Sequence, residues 1–161
     1  MLSSLEAWSK AHISDIFEAA TDDRSFRAIE ATFAPDLIGT MNGSPISFAD
    51  ICRLVCEMRQ SAPQGLSVQW VSARETLDEG SQNQNGCLEG KYIIQGILRP
   101  VDDHQWLEFE RQKLVSVRIE SQSPSAEVDS RRIVRLHLKA SDVLVTTTNL
   151  ENKSQMCTAK F

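Results

Sequence analysis

The sequence predicts an α+β fold in which three N-terminal helices pack on one face of a strongly curved, mainly antiparallel sheet. Three observations predict it. Apolar residues recur at helical spacing from Leu5 as far as Met58, and from Leu66 onward the period changes to two. Pro35, Asn42-Gly43 and Pro63-Gln64-Gly65 punctuate the chain as stops and turns. With 161 residues, 41% apolar and 24% charged, the composition is that of one soluble domain long enough to enclose a cavity.

The elements follow in order. Leu5, Trp8, Ile13, Ile16, Phe17 and Ala20 mark a first helix over residues 3–20. Thr21-Asp22-Asp23 offers N-cap chemistry for a second, with Phe26, Ile29 and Phe33 on one face. Ala34-Pro35-Asp36 ends it, because proline disfavours helix at the preceding residue. Residues 37–41 read as a short strand, and Asn42-Gly43 as a tight turn tolerant of positive φ. Ser47 caps a third helix whose apolar face is Ile51, Leu54, Val55 and Met58. Four long strands are predicted at 66–78, 87–99, 105–120 and 131–141. A polar connector, a turn at 99–103 and a serine-rich loop around Pro124 separate them. Residues 1–145 read as a single domain. Residues 146–161 lose periodicity and read as a flexible C-terminal tail.

Seventeen Lys and Arg against 22 Asp and Glu leave a net charge of −5, so a polyphosphate partner is repelled and no nucleic acid is expected. No apolar run approaches the roughly 20 residues of a membrane span, so no membrane is expected either. The first residues show neither a basic nor an apolar targeting region, and a cytoplasmic location follows as the expectation. Cys52, Cys56, Cys87 and Cys157 carry no pairing pattern and read as reduced thiols. The three histidines are scattered, and neither a glycine-rich phosphate loop nor G-x-S-x-G occurs. No metal and no organic cofactor are therefore expected.

Phe33-Ala34-Pro35-Asp36-Leu37, then Asn42-Gly43-Ser44-Pro45 and the helix after it, resemble the SnoaL-like branch of the nuclear transport factor 2-like superfamily. The likeness of element order spans residues 3–142. It implies a cone-shaped α+β barrel with a pocket between helices and sheet, commonly paired into homodimers through the outer sheet face. Members include polyketide cyclases, ketosteroid isomerases, scytalone dehydratase, fungal terpenoid isomerases and non-catalytic binding modules, so activity must be argued from the site. The resemblance also implies an acidic residue at the pocket mouth, where Asp36 and Asp142 stand.

Strand parity assigns side chains to the pocket. Leu88, Tyr92, Ile94 and Leu98 point inward from the second long strand, and Val134, Leu136, Leu138 and Ala140 from the fourth, with Leu136 as a pocket wall. In the third, Leu107, Phe109, Val115, Val117 and Ile119 form an inward row that Arg111 and Lys113 interrupt. Arg111 is either turned out by a bulge or paired with a carboxylate, or it is a pocket cation for an anionic or enolate-like oxygen. Arg74 has the same two readings, and Lys113 reads as a solvated rim residue. Tyr92 is the only tyrosine and either orients a carbonyl or is a core aromatic with one hydrogen bond. Trp8, Trp70 and Phe109 read as apolar walls for a flat ligand or as core. His12 is the general-base candidate beside a structural reading. His104 and His137, and the carboxylates Glu108 and Glu110, read as solvated.

Taken with these residues, the resemblance implies a cofactor-independent cyclase, isomerase or dehydratase acting by proton transfer on a hydrophobic carbonyl compound of secondary-metabolite type. His12 or Asp36 would be the base, with Tyr92 and Arg111 stabilising the oxyanion. The alternatives are a non-catalytic binding module for a small molecule or peptide, and a structural dimer with a filled interior. A pocket of about 300 Å³ or more with convergent polar groups separates the first two from the last.

Overall fold

The computed structural model describes residues 1–145; the expected tail, 146–161, lies outside the described residues. Three helices come first: α1 (Leu5–Phe17), α2 (Asp22–Thr32) and α3 (Phe48–Gln60). Each starts where a side-chain oxygen can receive an otherwise unpaired N–H. Ser4 Oγ accepts from Ala7 N at 3.0 Å and Thr21 Oγ1 from Arg24 N at 3.2 Å. Ser47 and Asp50 form a reciprocal capping box at the start of α3.

The sheet has six strands: β1 (Phe33–Met41), β2 (Ser44–Ile46), β3 (Ser67–Leu77), β4 (Gly86–Pro100), β5 (Trp106–Ser121) and β6 (Arg131–Leu144). Their spatial order is β2-β1-β6-β5-β4-β3, and every pairing is antiparallel except β1 with β6. Asn42, at φ 51°, and Gly43, at φ 83°, turn β1 into β2. The helices cover the concave face. Leu5, Ile16, Phe17 and Ile29 meet Leu88, Ile94, Val117 and Ile119 there in one continuous core.

The alternation read from the sequence breaks at four places. β1 starts at Phe33 rather than residue 37, because Phe33 already pairs with Ile133 and the register shifts before Ile38. Pro35 falls in that irregular stretch, where a missing N–H removes no ladder bond. In β3 the register slips between Trp70 and Ser72. In β4 it slips between Ile94 and Ile97, around Gly96 at φ 103°. A Cβ on Gly96 would approach the Gly65 carbonyl to 2.5 Å, so only glycine fits. The slip turns Ile97, instead of Leu98, into the core. In β6 Ile133 is buried in place of the expected Val134, and the phase then recovers at Leu136 and Leu138.

Candidate functional site

Two rungs of the sheet build the polar part of the site. Trp70, Tyr92 and Lys113 are successive cross-strand partners on β3, β4 and β5. Two residues along, Ile94, Arg111 and Asp142 are partners on β4, β5 and β6. Because side chains two apart on a strand share a face, both rungs look at α1 and α3. Between them lies a cavity of about 60 Å³, room for a few water molecules (a water takes about 15–30 Å³). Ile13, Ile16 and Phe17 of α1, Val55 and Met58 of α3, and Leu136 of β6 supply its apolar walls.

Among the described residues, five polar side chains line this space: Ser9, Trp70, Tyr92, Arg111 and Lys113. Ser9 Oγ and Trp70 Nε1 are buried without a hydrogen-bond partner among the described residues. The Trp70 and Tyr92 rings lie 4.8 Å apart at 40°. Burial holds the Tyr92 phenol well above its ordinary range, so it remains a proton donor.

Lys113 Nζ sits 4.8 Å from the centroid of the Phe17 ring and 5.8 Å from that of Tyr92. It makes no hydrogen bond or ion pair among the described residues. Burial first, and then the Arg111 charge, push this amine down to about 7, against the opposing pull of Asp142. Near neutral pH a large fraction of the molecules therefore carry an uncharged amine here.

Arg111 pairs with a carboxylate and also faces the cavity. Its Nε and Nη2 donate to Asp142 Oδ1 and Oδ2 at 2.8 and 3.1 Å. It also lines the cavity, and Nη1 makes no hydrogen bond among the described residues. Arg99 pairs with the same carboxylate. The hydrogen bonds from Arg111, followed by the charges of both arginines, hold Asp142 below the usual carboxylate range despite its burial.

Of the nine residues expected in the site, Tyr92, Arg111, Trp70 and Leu136 line the cavity and five do not. Arg74 is turned to the outer face by the slip in β3; its side chain is 79% exposed and pairs with Glu89 at 2.8 Å. Asp36 is exposed on the irregular stretch of β1. Phe109 packs beneath the Arg99 guanidinium, 5.5 Å from its ring centroid. Trp8 is core, with the His12 ring 4.2 Å away and the Arg131 guanidinium 5.5 Å away. His12 faces α2, with Nδ1 3.0 Å from Thr32 Oγ1. Thr32 Oγ1 donates to the Ala28 carbonyl at 2.6 Å, so it receives the proton of His12 Nδ1 and leaves Nε2 as the acceptor. Burial lowers the His12 pKa, partly offset by Asp129 and Asp15.

Two site residues escaped the sequence reading. Lys113 was expected at the solvated rim; its odd parity beside Arg111 was the signal, but only the register opposite Tyr92 fixes it over the cavity. Ser9 adjoins Trp8 on α1 and carried no signal of its own. Among the described residues no three of His, Cys, Asp and Glu gather as a metal site. No helix is long and apolar enough to cross a membrane.

Comparison of the sequence with known families finds no match, and comparison with curated proteins finds none. Solved structures do match. A hexachlorocyclohexane dehydrochlorinase from Novosphingobium barchaimii superposes with a TM-score of 0.55 at 12% identity, over 88% of this chain and 93% of that one. A calcium/calmodulin-dependent protein kinase II association domain from Xanthomonas campestris gives 0.56 at 13%, over 85% of each chain. A nuclear transport factor 2-like protein of unknown function from Pseudomonas aeruginosa gives 0.52 at 15%, over 86% and 94%. The fold is thus the nuclear transport factor 2-like α+β cone, and at such identities the likeness shows the fold alone.

Proposed function

We propose that the protein is a cofactor-independent acid/base enzyme of the isomerase, cyclase or dehydratase kind, acting on a small hydrophobic carbonyl compound in the cavity. One observation carries this reading: Arg111, Lys113 and Tyr92 converge on an apolar space where Ser9 Oγ and Trp70 Nε1 have no partner. A buried polar group left unmatched costs about 1–3 kcal/mol, which a ligand or ordered water there recovers. The chemistry follows from the residues. Arg111 Nη1 and the Tyr92 hydroxyl donate to the carbonyl oxygen as it gains charge. The uncharged Lys113 amine takes the proton from the adjacent carbon and returns it elsewhere on the same molecule. This gives proton movement without a metal, and Lys113 replaces His12 and Asp36 as the base. The dehydrochlorinase of the same fold lends support to an enzyme rather than a passive binder.

The resting volume favours a second reading, a structural dimer with a filled interior, since sites for drug-sized ligands occupy about 300–1,000 Å³. Met41 and Met58 line the cavity and can repack around a guest, so the substrate on the first reading is small or enters by moving them. A SnoaL-like affiliation, a homodimer joined through the outer sheet face and a cytoplasmic location belong to this proposal. Exposed Ile38, Val71 and Leu114 support the joint. The free thiols of Cys52, Cys56 and Cys87 support the location.

The experiment is α-hydrogen exchange of cyclopentanone in D2O, followed by NMR. Exchange accelerated by the protein and lost in Tyr92→Phe and Arg111→Met supports the enzyme. Exchange at the buffer rate, with no binding of the ketone, supports the filled interior.

A further inference from the structure

Among the described residues that line the cavity, Lys113 supplies a primary amine, which can react at carbon as well as move a proton. Its Nζ faces the space between the Phe17 and Tyr92 rings, 4.8 and 5.8 Å from their centroids. Nothing among the described residues occupies its lone pair or its N–H groups. The nearest charged groups are already committed: Arg111 holds Asp142, and Arg99 pairs with the same carboxylate. The amine therefore has no acid within ion-pair distance to trap it as ammonium, and two aromatic rings lie against it.

We propose that Lys113 is an imine-forming residue that captures a short-chain aldehyde or unhindered ketone in this cavity. The proposal rests on the small-molecule reading of the site. It adds the covalent step and narrows the substrate class. The Nζ lone pair attacks the carbonyl carbon, and a C–N bond forms as the C=O π pair moves to oxygen. Arg111, two residues along, and Tyr92, directly across the sheet, line the same cavity and supply donors for that oxyanion. The oxygen then leaves as one water molecule, carrying both protons of the amine, and a C=N bond remains. No electron is gained or lost, and no co-reactant is needed. Arg111 adds positive potential beside the amine, which favours the uncharged nucleophile at neutral pH. The size of the cavity matches a small carbonyl compound rather than a polycyclic one.

The test is reductive trapping. Butanal and cyanoborohydride are added to the protein at pH 7, and each lysine is located by peptide mass mapping. The expected result is butylation of Lys113 at least about tenfold faster than of Lys10, Lys91 or Lys139, with a rate that saturates in butanal. Equal rates at all four lysines overturn the proposal. Butanamide, which has the same length and no reactive carbonyl, separates the two levels of the argument. If butanamide stabilises the protein to heat while Lys113 is not trapped preferentially, the imine alone falls. If butanamide has no effect and Lys113 is not preferred, the cavity reading falls with it. A Lys113→Met protein, which keeps the apolar stem without the amine, is expected to lose the fast-labelled peptide.

Discussion

Arg111 and Asp142 stand directly opposite each other on β5 and β6, and the guanidinium grips both carboxylate oxygens, at 2.8 and 3.1 Å. The pair sits at the edge of a cavity that also holds an amine without an acid. This arrangement decides where charge is tolerated on the concave face and where it is not.

The pair is asymmetric in its replacements. Asp142→Asn strands Arg111 in a mostly buried position and removes a partner from the more exposed Arg99, and is expected to cost about 3 kcal/mol in urea unfolding. Arg111→Met leaves Asp142 paired with Arg99 and is expected to stay within about 1 kcal/mol of the parent. It should weaken capture of carbonyl compounds about tenfold. Unchanged affinity together with higher stability would remove Arg111 from the site.

Lys113 makes stability depend on alkaline pH. The unfolded chain holds the lysine proton up to its ordinary value of about 10.4, whereas the folded protein releases it near 7. Between these limits the unfolded state binds more protons, so stability rises with pH. Lys113→Met removes the dependence. The variant should be more stable by about 2 kcal/mol at pH 6, and the gap should close toward pH 10. Asp142→Asn should shift the labelling midpoint of Lys113 further down, because Asp142 is the group that raises it.

His12 acts at the other end of the scale. Its folded pKa lies below the ordinary 6.5, so the unfolded state takes up a proton first as the pH falls, and stability drops below about 6.5. His12→Asn should abolish that drop and cost about 1 kcal/mol at pH 7 through the lost Trp8 contact and Thr32 bond. Butanamide binding should be unchanged, as His12 is off the cavity. A large loss of binding would return His12 to the site.

Arg131 anchors the N-terminus. It is 1% exposed, and all of its nitrogens are engaged, by both oxygens of Asp129, the Ser3 carbonyl and hydroxyl, and the Asn83 carbonyl. Arg131→Met should cost about 3 kcal/mol and open residues before α1 to limited proteolysis. Hydrogen bonds from Arg131 hold Asp129 below the usual carboxylate range, so this contribution is present above about pH 4 and lost below it.

Much of the framework was legible because local chemistry set it. Ser47 and Thr21 cap the helices that their side-chain oxygens predict, and Asn42-Gly43 turns the hairpin. Each long strand falls within a few residues of its expected span. The site was legible in part, since a period-two reading survives only until a strand slips. The slip after Trp70 carried Arg74 outward, and the one at Gly96 brought in Ile97. Helical periodicity placed His12 and Trp8 near the stripe but did not distinguish a face against α2 from a face against the sheet. Asp142 as the partner of Arg111 depends on a contact 31 residues apart, which no local pattern encodes.

The one parallel pairing among the described residues, β1 with β6, joins Phe33 to Ile133 and Met41 to Leu138. On the ribosome the first two helices and the hairpin therefore emerge long before the strand that completes them, and their apolar stripe must wait unpaired through most of synthesis. Truncation before Arg131 removes the neighbour of both β1 and β5 and splits the sheet into two halves. A stalled or clipped chain of that kind is a substrate for chaperones and proteases, not a smaller version of the protein.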